Sequence, residues 1–164
     1  MMKSAIQFVF GTTLVLATAA ASAASVTKPL TVSAVIQERV GPAARCPSNF
    51  GGTITGHADS ALLGRAVVIG TDCITPSGPL FNFSNGKMII INTSGDQIYA
   101  NYSGQFVPTG EGAKFVFSGA TFQITGGTGR YFRATGGGTL NGAEDMITGA
   151  GTAELSGTIT TMGW

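Results

Sequence analysis

Apolar residues recur at every second position along much of this chain, and that spacing is typical of β-strands with one buried face. The alternation is clear in segment 30–37 and again in segment 147–159. Between them, segment 98–106 predicts an inward-facing set, which is Ile98, Ala100, Tyr102, Gly104 and Phe106. No ten-residue window beyond the N-terminal segment has a convincing 3.6-residue period. The chain is therefore predicted to be all-β, without parallel β-α-β units.

Short connections between the predicted strands favour antiparallel pairing. Further strand candidates are 52–57, 63–71, 80–83, 87–92, 114–125 and 131–140, which gives eight or nine short strands. Turn sequences separate them at hairpin spacing, namely Asn85-Gly86, Ser94-Gly95-Asp96, segment 108–112, segment 126–129 and Asn141-Gly142. The turn glycines Gly126, Gly127 and Gly129 could be mistaken for a phosphate-binding loop, but a strand follows them instead of a helix.

Glycine inside the predicted strands favours a curled sheet, because glycine marks bulges and tight bends there. The apolar set also changes parity between Phe115-Val-Phe117 and Phe122-Gln-Ile124, across Gly119-Ala120. A β-bulge produces such a change. We therefore expect an antiparallel, closed eight-stranded barrel in preference to an open sandwich.

The N-terminal segment has the order of a secretory signal peptide. Lys3 precedes an apolar run that ends in Ala21-Ser22-Ala23. Polar residues such as Gln7 interrupt the run, and it is barely long enough for the roughly 20 residues that a membrane anchor needs. We expect residues 1–23 to be a signal peptide cleaved near Ala23, and residues 24–164 to form a single barrel domain that is secreted or periplasmic.

Charge gives little reason to expect a polyanionic partner. The chain has nine basic and eight acidic residues, and Lys3 belongs to the predicted signal peptide. The remaining basic residues are scattered along the sequence instead of forming a stripe. No nucleic-acid partner is therefore expected.

The two cysteines, Cys46 and Cys73, are predicted to form a disulfide, because the chain is expected to enter an oxidising compartment. Loop-like residues flank both of them. They have no Cys-x-x-Cys spacing and no second histidine nearby, so a redox or metal pair is disfavoured. We expect no metal and no cofactor.

Few polar residues suggest catalysis. His57 and Asp59 lie on one face of a predicted strand, where they would form either an acid/base pair or an ordinary solvated pair. No serine stands in a Gly-x-Ser-x-Gly elbow, which gives a hydrolase no support. Glu144-Asp145 follows a predicted turn and is interpreted as an exposed hairpin tip.

The predicted interior is aromatic. Tyr102 would either direct its hydroxyl into a cavity or be a core residue whose hydroxyl is hydrogen-bonded within the protein. The full set expected to line or fill the interior is Tyr102, Phe106, Phe115, Phe117, Phe122 and Ile124. An eight-stranded barrel is either packed solid or holds one small ligand, and the sequence leaves both open.

Segment 122–140 carries a resemblance to a known family. Phe122-x-Ile124, Gly126-Gly-Thr-Gly-Arg130-Tyr-Phe132, Ala134-Thr-Gly136 and a Gly-Thr-Leu strand follow one another. This order resembles the barrel shared by plant allene oxide cyclases and dirigent proteins, and is most similar to their secreted bacterial relatives. The resemblance implies a closed barrel whose apolar interior holds a small hydrophobic molecule. Thr135 stands where dirigent proteins commonly have arginine, so no catalytic role is carried over.

Three functions follow as hypotheses. The first is an exported barrel without recognisable catalytic machinery that binds a small hydrophobic ligand or is structural, with a homo-oligomer as a further possibility. The second is a cyclase-like or dirigent-like isomerase that uses the cavity as a template, with His57, Asp59 and Tyr102 as catalytic candidates. The third is a small outer-membrane barrel ending at Trp164, but Met162, Thr160, Thr158 and Ser156 make a poor lipid-facing band. We therefore expect no stable membrane insertion.

Overall fold

Eight strands make up nearly all of the computed structural model, which describes residues 24–163. The predicted signal peptide, 1–23, and Trp164 lie outside the described residues. The strands are β1 (Ser25–Pro42), β2 (Phe50–Ser60), β3 (Gly64–Ser77), β4 (Leu80–Asn92), β5 (Gln97–Pro108), β6 (Lys114–Gly127), β7 (Thr135–Asp145) and β8 (Ala150–Met162). A single 3-10 turn at Gly129–Tyr131 lies between β6 and β7. Within residues 24–163, no helix has the length and apolar character needed to cross a membrane.

The strands close into an antiparallel barrel in which each strand pairs with the next along the chain. Closure comes from β1 and β8, which pair continuously from Ser25 opposite Met162 to Gln37 opposite Ala150. The prediction of an all-β, antiparallel, closed eight-stranded barrel is confirmed. A closed sheet leaves no unpaired strand edge, so every strand is hydrogen-bonded on both sides.

The alternating residues fill the barrel interior as predicted. On β5, the inward set from Ile98 to Phe106 is buried apart from Gly104, which is half-buried. Leu30, Ile90, Ile98, Leu155 and Ile159 are the largest apolar side chains that are almost fully buried. Removing apolar surface from water stabilises the fold by about 25 cal/mol per Å², so this interior is the main source of stability.

The predicted bulge near Gly119 is confirmed. Gly119 has a φ of 57°, and the β6–β7 register shifts between Val116 and Thr121. The β5–β6 register shifts at the same level, between Ser103 and Gln105. The extra residues let Phe117 on one side of the bulge and Phe122 on the other both point inward.

Two predicted turns are wrong because the strands run through them. Asn85-Gly86 lies inside β4, where Asn85 has a φ of 52° and the register shifts between Phe83 and Gly86. Here the Asn-Gly pair makes a bulge instead of a hairpin. Asn141-Gly142 lies inside β7 in continuous register with β8. A Cβ at Gly142 would lie 2.7 Å from the Phe117 ring, so this glycine makes room for an aromatic side chain.

The β6–β7 connection is longer than the predicted hairpin. Gly126 and Gly127 belong to β6, and Gly129 begins the 3-10 turn. The strand predicted from Tyr131 begins instead at Thr135. Tyr131 is buried with Ala134 in the main core and closes this end of the barrel.

The disulfide between Cys46 and Cys73 is formed, as predicted, with an S–S distance of 2.07 Å. It joins the β1–β2 connection to β3. Cys73 lies within β3 and not in a loop, since the strand continues to Ser77. The bridge therefore fixes the β1–β2 connection at the end of the barrel opposite Tyr131.

Candidate functional site

Three acidic side chains point into the barrel at the end carrying the disulfide. Glu38 on β1, Asp72 on β3 and Glu144 on β7 are 3%, 1% and 3% exposed, respectively. All three strands finish at this end, and each residue continues the inward alternation of its strand. We call these three residues the carboxyl cluster. Burying acidic groups is unfavourable unless they are paired or neutralised, so this arrangement calls for a physical explanation.

Glycines on the intervening strands provide the space for the carboxyl cluster. Gly52 on β2 lies between Glu38 and Asp72, and a Cβ there would overlap Oε1 of Glu38 and lie 2.9 Å from Oδ1 of Asp72. Gly151 on β8 lies opposite Glu144, where a Cβ would be 3.2 Å from the Glu144 Cβ. A side chain at Gly52 would displace the Glu38 carboxyl group, and a side chain at Gly151 would press on the β7 backbone at Ala143 and Glu144.

Asp72 is well satisfied by hydrogen bonds. Its Oδ1 accepts a bond of 3.1 Å from the backbone N–H of Gly52, and its Oδ2 accepts one of 3.1 Å from the Tyr102 hydroxyl. Burial raises the pKa of Asp72, although these two bonds and the Arg45 charge act in the opposite direction. The pKa of Tyr102 is also raised, chiefly by burial and then by the nearby Asp72 and Glu38 carboxyls. Tyr102 is therefore a hydrogen-bond donor that orients Asp72.

Arg45 is the cation that lies nearest to Asp72 and Tyr102. Its Nη2 donates to the backbone carbonyls of Gly52, at 2.6 Å, and of Asp72, at 2.9 Å. Because Arg45 precedes Cys46, the disulfide holds it at the mouth of the barrel. These two hydrogen bonds join the β1–β2 connection to β2 and β3, and neither goes to a carboxyl oxygen of the cluster.

Glu38 and Glu144 are left without a donor from the rest of the protein. Both carboxyl oxygens of Glu38 and Oε2 of Glu144 are buried and have no hydrogen-bond partner among residues 24–163. Burial, followed by Asp72 and Glu144, raises the pKa of Glu38 to about 10. Burial also raises the pKa of Glu144 to about 7, although the neighbouring Glu38 carboxyl lowers it. The pair therefore retains a proton near neutral pH.

A small cavity of about 30 Å³ lies inside the barrel and contacts all three members of the carboxyl cluster. That volume accommodates roughly one or two water molecules. The opposite wall is apolar and includes Phe83, Phe106 and Phe117. Their ring centroids are 4.7 to 5.6 Å apart in tilted or edge-to-face arrangements. An aromatic surface therefore faces acidic groups across one cavity.

The predicted cavity residues divide into three groups. Tyr102, Phe106 and Phe117 line the cavity. Phe122 and Ile124 are buried elsewhere in the core. Phe115 is half-buried and packs against Phe81, with ring centroids 5.8 Å apart. The site thus uses only part of the aromatic set predicted from the sequence.

The structure does not bring the predicted His57 and Asp59 pair to the cavity. Both side chains are exposed and face outward from β2, in the phase opposite to the buried Ala58. They lie on one face, as their spacing predicted. That face is the outer surface of the barrel, beside Arg65 and Val67.

The interpretation of Glu144-Asp145 as an exposed hairpin tip is wrong for Glu144, because β7 continues through Asn141-Gly142 and turns that side chain inward. Asp145 stabilises the turn between β7 and β8, because its Oδ1 accepts hydrogen bonds of 2.9 Å from the N–H groups of Ile147 and Thr148. Sequence reasoning also missed Glu38 and Asp72. Each residue comes two positions after the last inward-facing residue of its predicted strand. Extending the alternation by one more inward position would have identified both of them.

Metal binding has no geometric support in the part of the chain that the structure describes. Within residues 24–163, no three or more His, Cys, Asp or Glu side chains are arranged to hold a metal ion, and this includes the carboxyl cluster. What the site offers is unpartnered carboxyl oxygens and an apolar wall.

A closed eight-stranded barrel does not by itself identify a family, because unrelated proteins share this architecture. The resemblance of segment 122–140 to the allene oxide cyclase and dirigent barrels therefore stays a prediction. In direct comparisons, no protein-family model and no curated protein matches this chain.

Proposed function

We propose that the barrel binds one small, mainly apolar molecule at the carboxyl cluster, with a hydrogen-bond donor of the ligand facing Glu38 and Glu144. The observation that carries this proposal is the set of unpartnered oxygens on these two buried side chains, beside an aromatic wall. Pockets that combine an apolar lining with a few convergent polar groups of shifted pKa are the usual binding sites of small molecules.

Unpartnered polar atoms give such a ligand a defined orientation. A buried acceptor without a donor destabilises a protein by about 1 to 3 kcal/mol, and more when it is charged. A ligand donor that reaches Glu38 or Glu144 removes part of that penalty, while the rest of the ligand contacts the phenylalanine rings. An apolar molecule without a donor gains only the contacts with the phenylalanine rings.

Binding requires the cavity to expand, since about 30 Å³ is far below the roughly 300 Å³ of a typical small ligand site. Phe117 supports such an expansion, because it lines the cavity while remaining half-buried. Gly142 beside its ring carries no side chain that would restrain it. We propose that the ligand enters this cavity and displaces the Phe117 ring outward.

Benzyl alcohol and toluene test this function, because they share a ring and differ in one donor. Met88 lines the cavity, whereas Met162 is exposed on β8. With the methionine methyl groups labelled with carbon-13, benzyl alcohol should shift the Met88 signal saturably and leave Met162 unchanged. Toluene should bind more weakly. An unchanged Met88 signal up to the solubility limit of both compounds would disprove the proposal.

A matched pair of variants locates the binding site. Ala34 lines the cavity and its neighbour Val35 is exposed on the outside of β1. Ala34→Leu should abolish the Met88 response, and Val35→Leu should preserve it. If Ala34→Leu does not fold, as judged by circular dichroism, Ala153→Val fills the same cavity with less added volume. Binding that survives filling of the cavity would contradict the assignment.

A proton-transferring isomerase is the second candidate, supported by the two buried carboxyl groups of Glu38 and Glu144 in one cavity, both of which have a raised pKa. In this reaction the Glu144 carboxylate removes a proton from carbon next to a carbonyl, and Glu38 gives its proton to the carbonyl oxygen. The resulting enol returns to the ketone when both transfers reverse.

Deuterium uptake by phenylacetone in heavy water tests that chemistry. Glu38→Gln and Glu144→Gln should each abolish any acceleration over buffer, because an amide cannot transfer the proton. His57→Ala is the control, since His57 faces outward. Equal uptake with and without the protein, or an unchanged rate in both Gln variants, would rule this reaction out.

A further inference from the structure

We infer that the polar group of the ligand is a primary ammonium, so that the site selects small aromatic amines over alcohols of the same shape. This inference rests on the proposed binding function and adds the chemical class of the ligand. Three features of the site support it: the unpartnered oxygens, the lack of a counter-charge within residues 24–163 and the aromatic wall.

The number of unpartnered acceptors matches an ammonium group. Three buried oxygens lack a hydrogen-bond partner, and all three become acceptors once the glutamate pair gives up its proton: Oε1 and Oε2 of Glu38 and Oε2 of Glu144. A primary ammonium carries three N–H donors, whereas a hydroxyl carries one. Each hydroxyl ligand would leave acceptors unsatisfied, while one ammonium can serve both carboxylates.

The charge of the site also favours a cation. No ion pair found within residues 24–163 includes Glu38, Asp72 or Glu144; the two pairs there are Lys114–Glu111 and Arg130–Asp96. Arg45 directs its Nη2 to backbone carbonyls and lies beside Asp72. An ammonium would therefore supply the missing counter-charge for the glutamate pair, whereas a carboxylic acid ligand would add to the repulsion.

The opposite wall suits the remainder of an aromatic amine. Phe83, Phe106 and Phe117 offer ring faces and edges within the same cavity as the glutamate pair. Such rings pack favourably against a phenyl group, and a cation close to a ring face gains additional attraction. Binding an amine therefore places its charged end on the carboxylates and its ring on the phenylalanines.

Amine binding must displace the proton that the glutamate pair retains near neutral pH, because the ammonium replaces it as the positive charge at the two carboxyl groups. The proton leaves to solvent, so the affinity should rise with pH until the amine itself deprotonates. The other charged groups that act on this pair are Asp72 on β3 and Asp145 at the end of β7. Tyr102 on β5 and Arg45 in the β1–β2 connection lie beside Asp72.

Isothermal titration calorimetry with benzylamine, benzyl alcohol and toluene tests the inference. At a pH of about 8, which is above the Glu144 pKa of about 7, benzylamine should bind at least about tenfold more tightly than benzyl alcohol. Titration in buffers of different ionisation enthalpy should reveal the released proton. Benzyl alcohol binding as tightly as benzylamine would overturn the ammonium assignment while leaving the binding function intact.

Variants show whether the preference comes from the carboxyl cluster. Glu38→Gln and Glu144→Gln should each reduce the ratio of benzylamine to benzyl alcohol affinity to near unity. Glu154→Gln, on the exposed face of β8, is the matched control and should keep the ratio. A preference that survives both cluster variants contradicts the inference. If none of the three compounds binds, both the inference and the proposed function are wrong.

Discussion

Glu38 is the residue on which the carboxyl cluster depends, because its two oxygens account for most of the unsatisfied acceptors. Gly52 leaves the space that its carboxyl group occupies. The group lies beside Asp72 and Glu144, so its ionised form is disfavoured by burial and by both neighbours. The protein therefore keeps a proton on Glu38 near neutral pH, and loses stability if that proton is removed.

The raised pKa values predict how stability depends on pH. Free glutamate side chains lose their proton near the usual value of 4.5, but folding raises the pKa of Glu144 to about 7 and that of Glu38 to about 10. Between the unfolded and folded values, the folded state holds more protons than the unfolded chain, so raising the pH favours unfolding. Thermal unfolding should therefore show a lower midpoint at pH 8 than at pH 5.

Replacing Glu38 with glutamine should remove much of that dependence. The amide keeps the shape, carries no charge and can donate to Glu144. At pH 8 we expect Glu38→Gln to be more stable than the wild type by on the order of 1 to 3 kcal/mol. Urea unfolding at pH 5 and pH 8 measures this, with Glu154→Gln as an exposed control. Equal or lower stability of Glu38→Gln at pH 8 would contradict the raised pKa that we assign to Glu38.

At the scale of the strands, the alternation of apolar residues predicted which face of a strand is buried better than it predicted where the strand ends. The inward sets of β1 and β5 were predictable because apolar residues at every second position bury one face. Glu38 and Asp72 were missed because the predicted strand segments end at residues 37 and 71, one residue before each of them. Their strands continue, and only the barrel places the two side chains next to each other.

Glycine explains the remaining differences between the predicted and observed strands. Asn85-Gly86 is a hairpin sequence locally, but pairing with β3 and β5 on both sides keeps β4 continuous and leaves a bulge. At Gly142 the absence of a side chain leaves room for the Phe117 ring. Local turn preference is weaker than two ladders of strand pairing, and nothing in the sequence near these glycines indicates what packs against them.

At the scale of the whole molecule, the two ends of the barrel are closed differently. Tyr131 and the 3-10 turn fill one end with a buried side chain. The other end depends on the disulfide and on Arg45, which hold the β1–β2 connection beside the carboxyl cluster. The sequence predicted the disulfide, since two cysteines in a chain expected to be exported are expected to pair. It did not predict that the bridge lies at the site.

Removing the disulfide should therefore weaken the whole fold and loosen one end in particular. The bridge spans 27 residues of sequence, and restricting the unfolded chain over such a loop stabilises a protein by about 2 to 4 kcal/mol. The Cys46→Ser, Cys73→Ser double variant should lose that amount in urea unfolding. It should also release the Gly52 N–H from its bond to Asp72, because Arg45 is no longer held over Gly52 and Asp72.

Hydrogen exchange separates the local effect from the global one. The Gly52 amide should exchange faster in the double variant by more than the loss of global stability explains. The Thr128 amide, which bonds to the Gln97 carbonyl at the far end, is the internal reference. Its exchange should change only as far as global unfolding requires. Equal acceleration at both amides would mean that the disulfide stabilises the barrel as a whole and has no special part in holding the carboxyl cluster together.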